Sequence, residues 1–451
     1  MKTARPYPAY IVSKKAEASL LAGHPWVYAD EITAAPAAPP QNGGIVDVLS
    51  AKGRYLGSGF VSHASKIRVR LFSRNASDQF GPAFWRRRLE YAWAYRKTVL
   101  GPSDLAACRL IHGEADQFPG LTVDRFGPVL VAQVLSAGME GIKGWLLPLL
   151  AEVLRADGQT IEAIYERSDV ALRAKEGLAE CKGWLAAPGS FAAPGDPALS
   201  APALPGDPMP GSFATPGSPA APHPALPGAA PAAYPTRTII TENGVRYEVD
   251  FENGQKTGFF LDQKYNRRAV AALARGKTVL DCFTHTGSFA LNAAKGGAVQ
   301  VTAVDVSAAA LETARANAAL NGLEDKLEFL CADVFDLLPA LEASGRGRYD
   351  LIILDPPAFA KARGAAAAAV RGYKQINCRA MRLLPRGGYL VSASCTHFVT
   401  ERMFAEMLAA AARDAGRQLR QVELRGAAPD HPVLWGVPET AYLKCFIFQV
   451  I

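Results

Sequence analysis

Apolar positions along this 451-residue chain change their period several times, and each change predicts a different architecture. Near the N-terminus the pattern alternates. Ile45-Val-Asp-Val-Leu49, Tyr55 to Val61 and Ile67-Arg-Val-Arg-Leu-Phe72 read as short strands. In the last, Ile67, Val69 and Leu71 share one face and Arg68 and Arg70 the other, so residues 1–75 are expected to form a small all-β barrel or sandwich. Residues 76–185 read as an α+β unit. Phe84 to Leu100 has helical spacing, and Cys108 to Phe126 reads as strand, turn and strand, punctuated by Pro119-Gly120. Val129 to Leu135 continues a strand, Ile142 to Leu154 is a helix and Ile161 to Tyr165 another strand. Residues 186–235 lose both periods. Pro, Gly, Ala and Ser dominate there, and Pro188-Gly-Ser-Phe-Ala192 recurs as Pro210-Gly-Ser-Phe-Ala214. Bulky residues are too few to offset ordering entropy, so a disordered insertion without a catalytic role is expected. Arg237 to Phe251 then reads as a hairpin turning at Glu242-Asn243-Gly244, which returns residues 236–254 to the middle unit.

From 255 to 451 buried strands alternate with helices. Strands are expected at Thr278–Asp281, Val301–Asp305, Phe329–Asp333, Tyr349–Asp355, Gly388–Cys395, Gln418–Arg425 and Ala441–Val450. Helices are expected at Phe289–Lys295, Ala308–Asn321, Arg371–Leu384 and Thr400–Ala415. Such alternation predicts a doubly wound α/β sheet. The first four strands each end on an acid. Acids are rarely buried without partners, so these ends form a row of acceptors at the carboxyl edge, where open α/β sheets bind ligands. Beyond Asp281, the loop through Thr284, Thr286 and Gly287 opens a helix, and backbone N–H groups at such a corner can approach a ligand closely. Asp305 stands at a spacing that suits ribose hydroxyls. The G-x-G-x-x-G fingerprint is absent, which argues against NAD or FAD and for a ligand with an adenosine end and a zwitterionic amino-acid end.

Two motifs follow the fourth and fifth strands. In Asp355-Pro-Pro-Ala-Phe359 the prolines fix the backbone into a rim that can hold Asp355 and Phe359 against a flat substrate. Ser394-Cys395-Thr396-His397 ends the fifth strand. Neighbouring strands of a doubly wound sheet would set Asp355 and Cys395 across one edge. Taken alone, Cys395 could equally be a small buried residue.

Charge adds a partner. The net charge is +7, and between Lys52 and Lys97 only Asp78 and Glu90 oppose a run of Lys and Arg. Aromatics are interleaved there, from Tyr55 and Phe60 to Trp93 and Tyr95. This suits a phosphate backbone and unstacked bases, with Lys66, Arg68, Arg70, Arg86, Arg87 and Phe359 as candidate RNA contacts. A solvated cationic face is the plainer alternative. Seven scattered cysteines without a C-x-x-C pair argue against a zinc ribbon or a disulfide framework, and no metal is expected. No apolar run approaches the roughly 20 residues that cross a bilayer, and the first 20 residues lack a signal-peptide core. A cytoplasmic protein with no membrane partner is expected.

The order Lys256-Thr-Gly-Phe-Phe-Leu-Asp-Gln263, Asp281 to Gly287, Asp355-Pro-Pro-Ala-Phe359, Ser394-Cys395 and Asp430-His-Pro432 resembles the ribosomal large-subunit methyltransferase I family. These are class I S-adenosylmethionine (SAM) enzymes that make 5-methylcytosine in bacterial 23S ribosomal RNA. The resemblance implies a PUA-like RNA-binding barrel at 1–75, an α+β middle domain, and a seven-stranded Rossmann-like SAM domain at 255–451 with an antiparallel last strand. It implies that Asp281 and Gly287, with Phe283 and Thr284 in the same loop, lie near the methionine part. Asp305 would hold the ribose, and Asp333, beside Val334, would meet the adenine. Lys256, Phe260 and Gln263 would close over the methionine end, Asp355 would border the cofactor, and Cys395 would be the nucleophile. The implied partner is 23S ribosomal RNA or a large-subunit precursor; a homodimer is left open. The 186–235 insertion departs from the family pattern, and the fourth-strand motif lacks the cysteine that other RNA cytosine-C5 methyltransferases carry.

A thiol beside a methyl donor has a chemical use. C5 of a pyrimidine is a poor nucleophile until a thiolate adds at C6. The thiolate needs nearby positive charge or donors, a base must remove the C5 proton, and the target must leave its stack. Two further readings are a guanine-directed ribosomal RNA methyltransferase that needs no thiol, and a non-catalytic RNA-binding or ribosome-assembly protein that keeps SAM as a structural ligand. A small-molecule methyltransferase explains neither the basic stripe nor the separate barrel.

Overall fold

The C-terminal half forms one seven-stranded sheet, with mainly apolar strands at its centre and more polar, exposed strands at its two edges. Its strands are β1 (Thr278–Cys282), β2 (Gln300–Asp305), β3 (Leu327–Cys331), β4 (Leu351–Leu354), β5 (Tyr389–Ser394), β6 (Leu419–Arg425) and β7 (Lys444–Val450). Their spatial order is β3-β2-β1-β4-β5-β7-β6. The first five are parallel, and β7 runs antiparallel between β5 and β6. The computed structural model describes residues 5–190, 234–345, 348–360 and 362–451. Of the expected 186–235 insertion, residues 191–233 lie outside these.

The chain divides into two compact units. One comprises the residues up to Thr238 with Val249–Phe259 and Val433–Val437; the other comprises Ile239–Glu248, Phe260–Pro432 and Pro438–Ile451. In the second unit six helices cover the sheet: α1 (Lys264–Leu273), α2 (Ser288–Lys295), α3 (Ala308–Asn321), α4 (Val334–Ser344), α5 (Ala366–Leu383) and α6 (Glu401–Ala415). Helix α3 begins where Ser307 accepts from the Ala310 N–H and ends at left-handed Gly322, which makes its limits readable from sequence. Periodicity did not single out α1 or α4. The inward face of α1 is largely polar, with Lys264, Asn266 and Arg267 buried beside Val270. Helix α4 follows β3 closely and is capped by Asp333. The strand order reverses between β1 and β4, which is where open α/β sheets form a ligand crevice.

The first unit holds a six-stranded sheet built from residues 9–73 and a five-stranded sheet built from residues 107–186. In the first sheet Val69 and Leu71 join a core with Val12, Val27, Val46 and Val61. The interleaved aromatics do not form an exposed stacking surface. Phe60, Phe72, Phe84, Trp85 and Trp93 are all buried. Ring centroids lie 4.6 Å apart for Phe60 and Phe72, 5.2 Å for Phe72 and Trp85, and 5.7 Å for Trp85 and Phe118, so these rings cement the helix Pro82–Val99 to the strands. Of the set, Tyr91 at 63 % and Tyr95 at 36 % exposure remain open. Helical spacing in the stretch 84–95 serves an inward face, and a linear list of aromatics does not reveal that.

The hairpin expected at 237–251 forms from Arg237–Glu242 and Val245–Asp250. Its tip is tied down in the second unit. Arg267 of α1, 1 % exposed, donates from Nε and Nη2 to the two carboxylate oxygens of Glu242, at 2.6 and 2.8 Å, and from Nη2 to the Phe260 carbonyl at 2.7 Å. Truncating one member of such a pair strands the other charge in the interior, at about 3–5 kcal/mol. We therefore expect Arg267→Met to lower unfolding stability by about that amount. The double variant Arg267→Met/Glu242→Met should recover a large part of the loss, measured by urea unfolding of both proteins.

Candidate active site

Strand β1 delivers Asp281 into the crevice wholly buried. Its Oδ2 accepts from Thr284 Oγ1 at 2.5 Å and from the Ala290 N–H at 2.9 Å, and its Oδ1 has no hydrogen-bond partner among the described residues. Burial pushes its pKa up to about 7; the Thr284 hydrogen bond opposes this, and the charge of Asp355 adds to it. A buried acceptor with an unanswered oxygen, beside further acids, suits a cationic ligand group.

The loop after β1 turns through left-handed backbone three times in five residues, at Phe283 (φ 65°), His285 (φ 50°) and Gly287 (φ 83°). Side chains rarely adopt this region, and such strain gathers at functional sites. At Gly287 a Cβ would also meet the Ala314 Cβ at 3.0 Å. The turns aim the Thr284 N–H at the Val304 carbonyl (2.8 Å) and the His285 N–H at Asp305 Oδ2 (2.9 Å). Asp305, at the end of β2, also receives the Ser307 N–H on Oδ1 at 2.9 Å. Burial lowers the His285 pKa, while Asp305 raises it. Phe260 meets the His285 ring edge-on at 5.6 Å. Phe283 packs partly buried against the core beneath. Asp333 is exposed and accepts the Phe335 N–H at 2.8 Å as the cap of α4, and Val334 is buried in the core. Lys256, with a φ of 53°, belongs to the first unit.

Asp355 leaves the end of β4, and a relay from α1 fixes it. Gln263 Nε2 donates to Asp355 Oδ1 at 2.9 Å, Asn266 Nδ2 donates to Gln263 Oε1 at 2.6 Å, and Arg425 Nε donates to Asn266 Oδ1 at 3.1 Å. Asn266 and Arg425 were not among the sequence candidates. The spacing of Gln263 and Asn266, three residues apart on a helix start, is the available signal. Cys395 follows β5 half-buried. Since β4 and β5 run parallel with Leu354 opposite Ser392, Asp355 and Cys395 leave the same edge of the sheet. The loop from Cys395 is braced by the buried Tyr373 hydroxyl, which accepts from Ser394 Oγ at 3.0 Å and shares a 2.9 Å hydrogen bond with Thr396 Oγ1. Phe359 packs on Tyr373 and Phe335, with centroids at 4.6 and 5.9 Å. His431 and Asp430 are buried, with Nδ1 and Oδ1 3.0 Å apart.

In the first unit the candidate RNA contacts differ in availability. Lys66 is exposed. Arg86 pairs with Glu152 at 2.6 Å and Arg87 with Asp78 at 3.8 Å, both near the surface. Arg68 Nη1 donates to the Ser62 carbonyl at 2.7 Å. Arg70, 13 % exposed, is answered by Glu176 at 2.9 Å and Glu114 at 3.4 Å and lies over the Trp26 ring. Its alternation with Arg68 signalled an outward face, but acids distant in sequence cover it.

The Asp281 environment generates a pH dependence. Its carboxyl is raised above the ordinary value, so it is neutral over more of the acid range in the folded chain, and folded stability from this group falls as pH rises from about 4 through about 7. A cationic ligand prefers the ionised form. SAM should therefore bind roughly tenfold more weakly near pH 6 than near pH 8 by titration calorimetry, and Asp281→Asn should flatten that dependence. Equal wild-type affinities at the two pH values would contradict this assignment.

Known protein families match this chain in two regions. Residues 231–449 match the model of an S-adenosylmethionine-dependent methyltransferase domain, and residues 11–74 match a PUA-like domain. A protein of Shewanella denitrificans named ribosomal RNA large subunit methyltransferase I is 39 % identical over 96 % of this chain and 97 % of its own length. One of the same name from Klebsiella pneumoniae is 36 % identical over 99 % of both. A solved structure from Streptococcus mutans shares the fold, with a TM-score of 0.71 at 20 % identity, covering 98 % of this chain and all of the other. The seven-stranded crevice with its row of acids is thus a SAM-dependent methyltransferase domain, and the chain belongs to the ribosomal RNA large subunit methyltransferase I family.

Proposed function

We propose that this protein methylates C5 of a cytosine in 23S ribosomal RNA, with Cys395 as the covalent nucleophile. The observation that carries this reading is the half-buried thiol at the end of β5, one strand from Asp355 and on the edge that bears the acid-lined loop. Asp281, with its unanswered oxygen, and Gly287 hold the methionine end of the cofactor, with Phe283 and Thr284 beside them. Asp305 takes the ribose, Asp333 and Val334 border the adenine, and Phe260 and Gln263 cover the methionine end. Bound SAM supplies the electrophilic methyl group.

The chain's own groups perform the rest. The Cys395 thiolate adds to C6 of the flipped cytosine and pushes the C5–C6 electron pair onto C5, which then takes the methyl group. A base removes the C5 proton, its bonding electrons restore the C5–C6 double bond, and the thiolate departs. Asp355, held through Gln263, accepts from the exocyclic N4 amino group and orients the ring. Phe359 forms the rim. Lys66, Arg86 and Arg87 contact phosphates.

Cys395→Ala should lower methyl transfer by more than about a thousandfold while SAM affinity stays unchanged. Labelled SAM with unmodified ribosomal RNA, followed by digestion, should yield 5-methylcytidine. Full activity in the variant, or a labelled N-methylguanosine, would replace this reading with nitrogen methylation. Replacing Lys66, Arg86 and Arg87 together by alanine should weaken RNA binding at every sequence tested and reduce the salt slope by about one for each phosphate no longer neutralised. An unchanged slope would remove these side chains from the RNA interface.

A further inference from the structure

A lysine that the chemistry above does not use stands beside the reactive thiol. Strand β7 pairs Lys444 with Ser394, the residue before Cys395. Lys444 heads a strand that continues with Cys445, Phe446, Ile447 and Phe448, and it is 3 % exposed. Its ammonium donates to the carbonyls of Thr396 (2.8 Å), Val399 (2.7 Å) and Tyr442 (2.9 Å). Two of those acceptors lie in the loop that leaves Cys395. Neutral carbonyls satisfy its three protons yet bring no compensating charge, and an enclosed cation without an anion is costly. Burial lowers the Lys444 pKa to about 8, and the anionic groups that raise it are Cys395 and Glu401.

We propose that Lys444 is the positioning cation of the Cys395 site: its three hydrogen bonds fix the 395–399 loop, and its charge favours the thiolate form of Cys395. The proposal rests on the reading of Cys395 as the nucleophile and adds what activates it. The proton released by the thiol passes to solvent water, and Lys444 keeps its own.

Among the described residues, the other titratable groups around the loop supply no comparable charge. Tyr373 of α5 is a buried phenol whose pKa burial raises. His397, exposed in the loop, has its pKa lowered by burial, raised by Glu439 and lowered by Lys444, so it is neutral near pH 7. Glu401, at the start of α6, and Asp355, at the end of β4, are acids that disfavour a thiolate. A thiolate placed among them requires a cation, and Lys444 is the one that β7 brings beside it.

The test is the pH profile of Cys395 alkylation by iodoacetamide, read on the Cys395 peptide by mass spectrometry so that exposed Cys331 does not interfere. It uses the full chain as wild type, Lys444→Met, Lys444→Gln and Lys444→Arg. The glutamine variant keeps a donor for the loop and removes the charge, and it serves if the methionine variant fails to fold. In the two neutral variants the midpoint should move up by at least about one pH unit, about a tenfold loss of rate near pH 7, while the arginine variant stays near wild type. A neutral variant that titrates as wild type, or an arginine variant shifted as far as the neutral ones, overturns the proposal and leaves Lys444 a loop brace. Alkylation needs no methyl transfer. An active Cys395→Ala protein would sink the nucleophile reading alone, whereas an unchanged profile beside an inactive Cys395→Ala protein would sink only the role of Lys444.

Discussion

Negative charge gathered at one edge of a parallel sheet is the constraint that the rest of the second unit answers. Asp281, Asp305 and Asp355 all arrive on strand ends at that edge, and Asp355 and Asp305 both raise the pKa of buried Asp281. Donors come from whatever lies nearest. The loop after β1 contorts through left-handed backbone to bring the Thr284 hydroxyl and the His285 N–H to two of the acids, and the start of α2 offers the Ala290 N–H. One Asp281 oxygen is left over. A site that nearly balances its acids with neutral donors keeps a net demand for a positive ligand, and SAM carries a sulfonium and an ammonium.

The same demand explains helix α1. A helix packed against a unit's interior normally turns an apolar stripe inward. Here three of the four buried side chains, Lys264, Asn266 and Arg267, are polar, and only Val270 is apolar. Asn266 orients Gln263 and through it Asp355, and Arg267 closes on Glu242 at the hairpin tip and on the Phe260 carbonyl. Such polar packing forgoes apolar burial, yet a fully satisfied network gives one well-defined arrangement.

This trade also decides what could be read from sequence. The central strands β1, β4 and β5 were legible because buried parallel strands are mainly apolar, and here an acid or a turn closes each. Helix α3 was legible to its ends because Ser307 and Gly322 are strong stop signals. Helix α1 was not, since its pattern is polar inward and periodicity is blind to that. The stretch 84–95 misled for the converse reason: its rings lie among basic residues but point into the core. Around the site, the strand-end acids and the cysteine stood out by position. The partners that hold them, Asn266, Arg425 and Lys444, come from distant segments, and only the folded register brings them together. Phe283 and His285 in left-handed conformation had no signal at all, because neither residue type demands it.

Strand β7 occupies an interior place in the sheet although it is the last of the seven in the chain. Until it enters, β5 has an open edge on one side and β6 has no neighbour. The parallel half, with its ligand crevice, can assemble during synthesis, while the Cys395 loop waits for residues some fifty positions later. A nascent or C-terminally clipped chain would thus lack the Lys444 hydrogen bonds that hold the loop after β5. Completion of the two halves of the sheet is thereby staggered by topology.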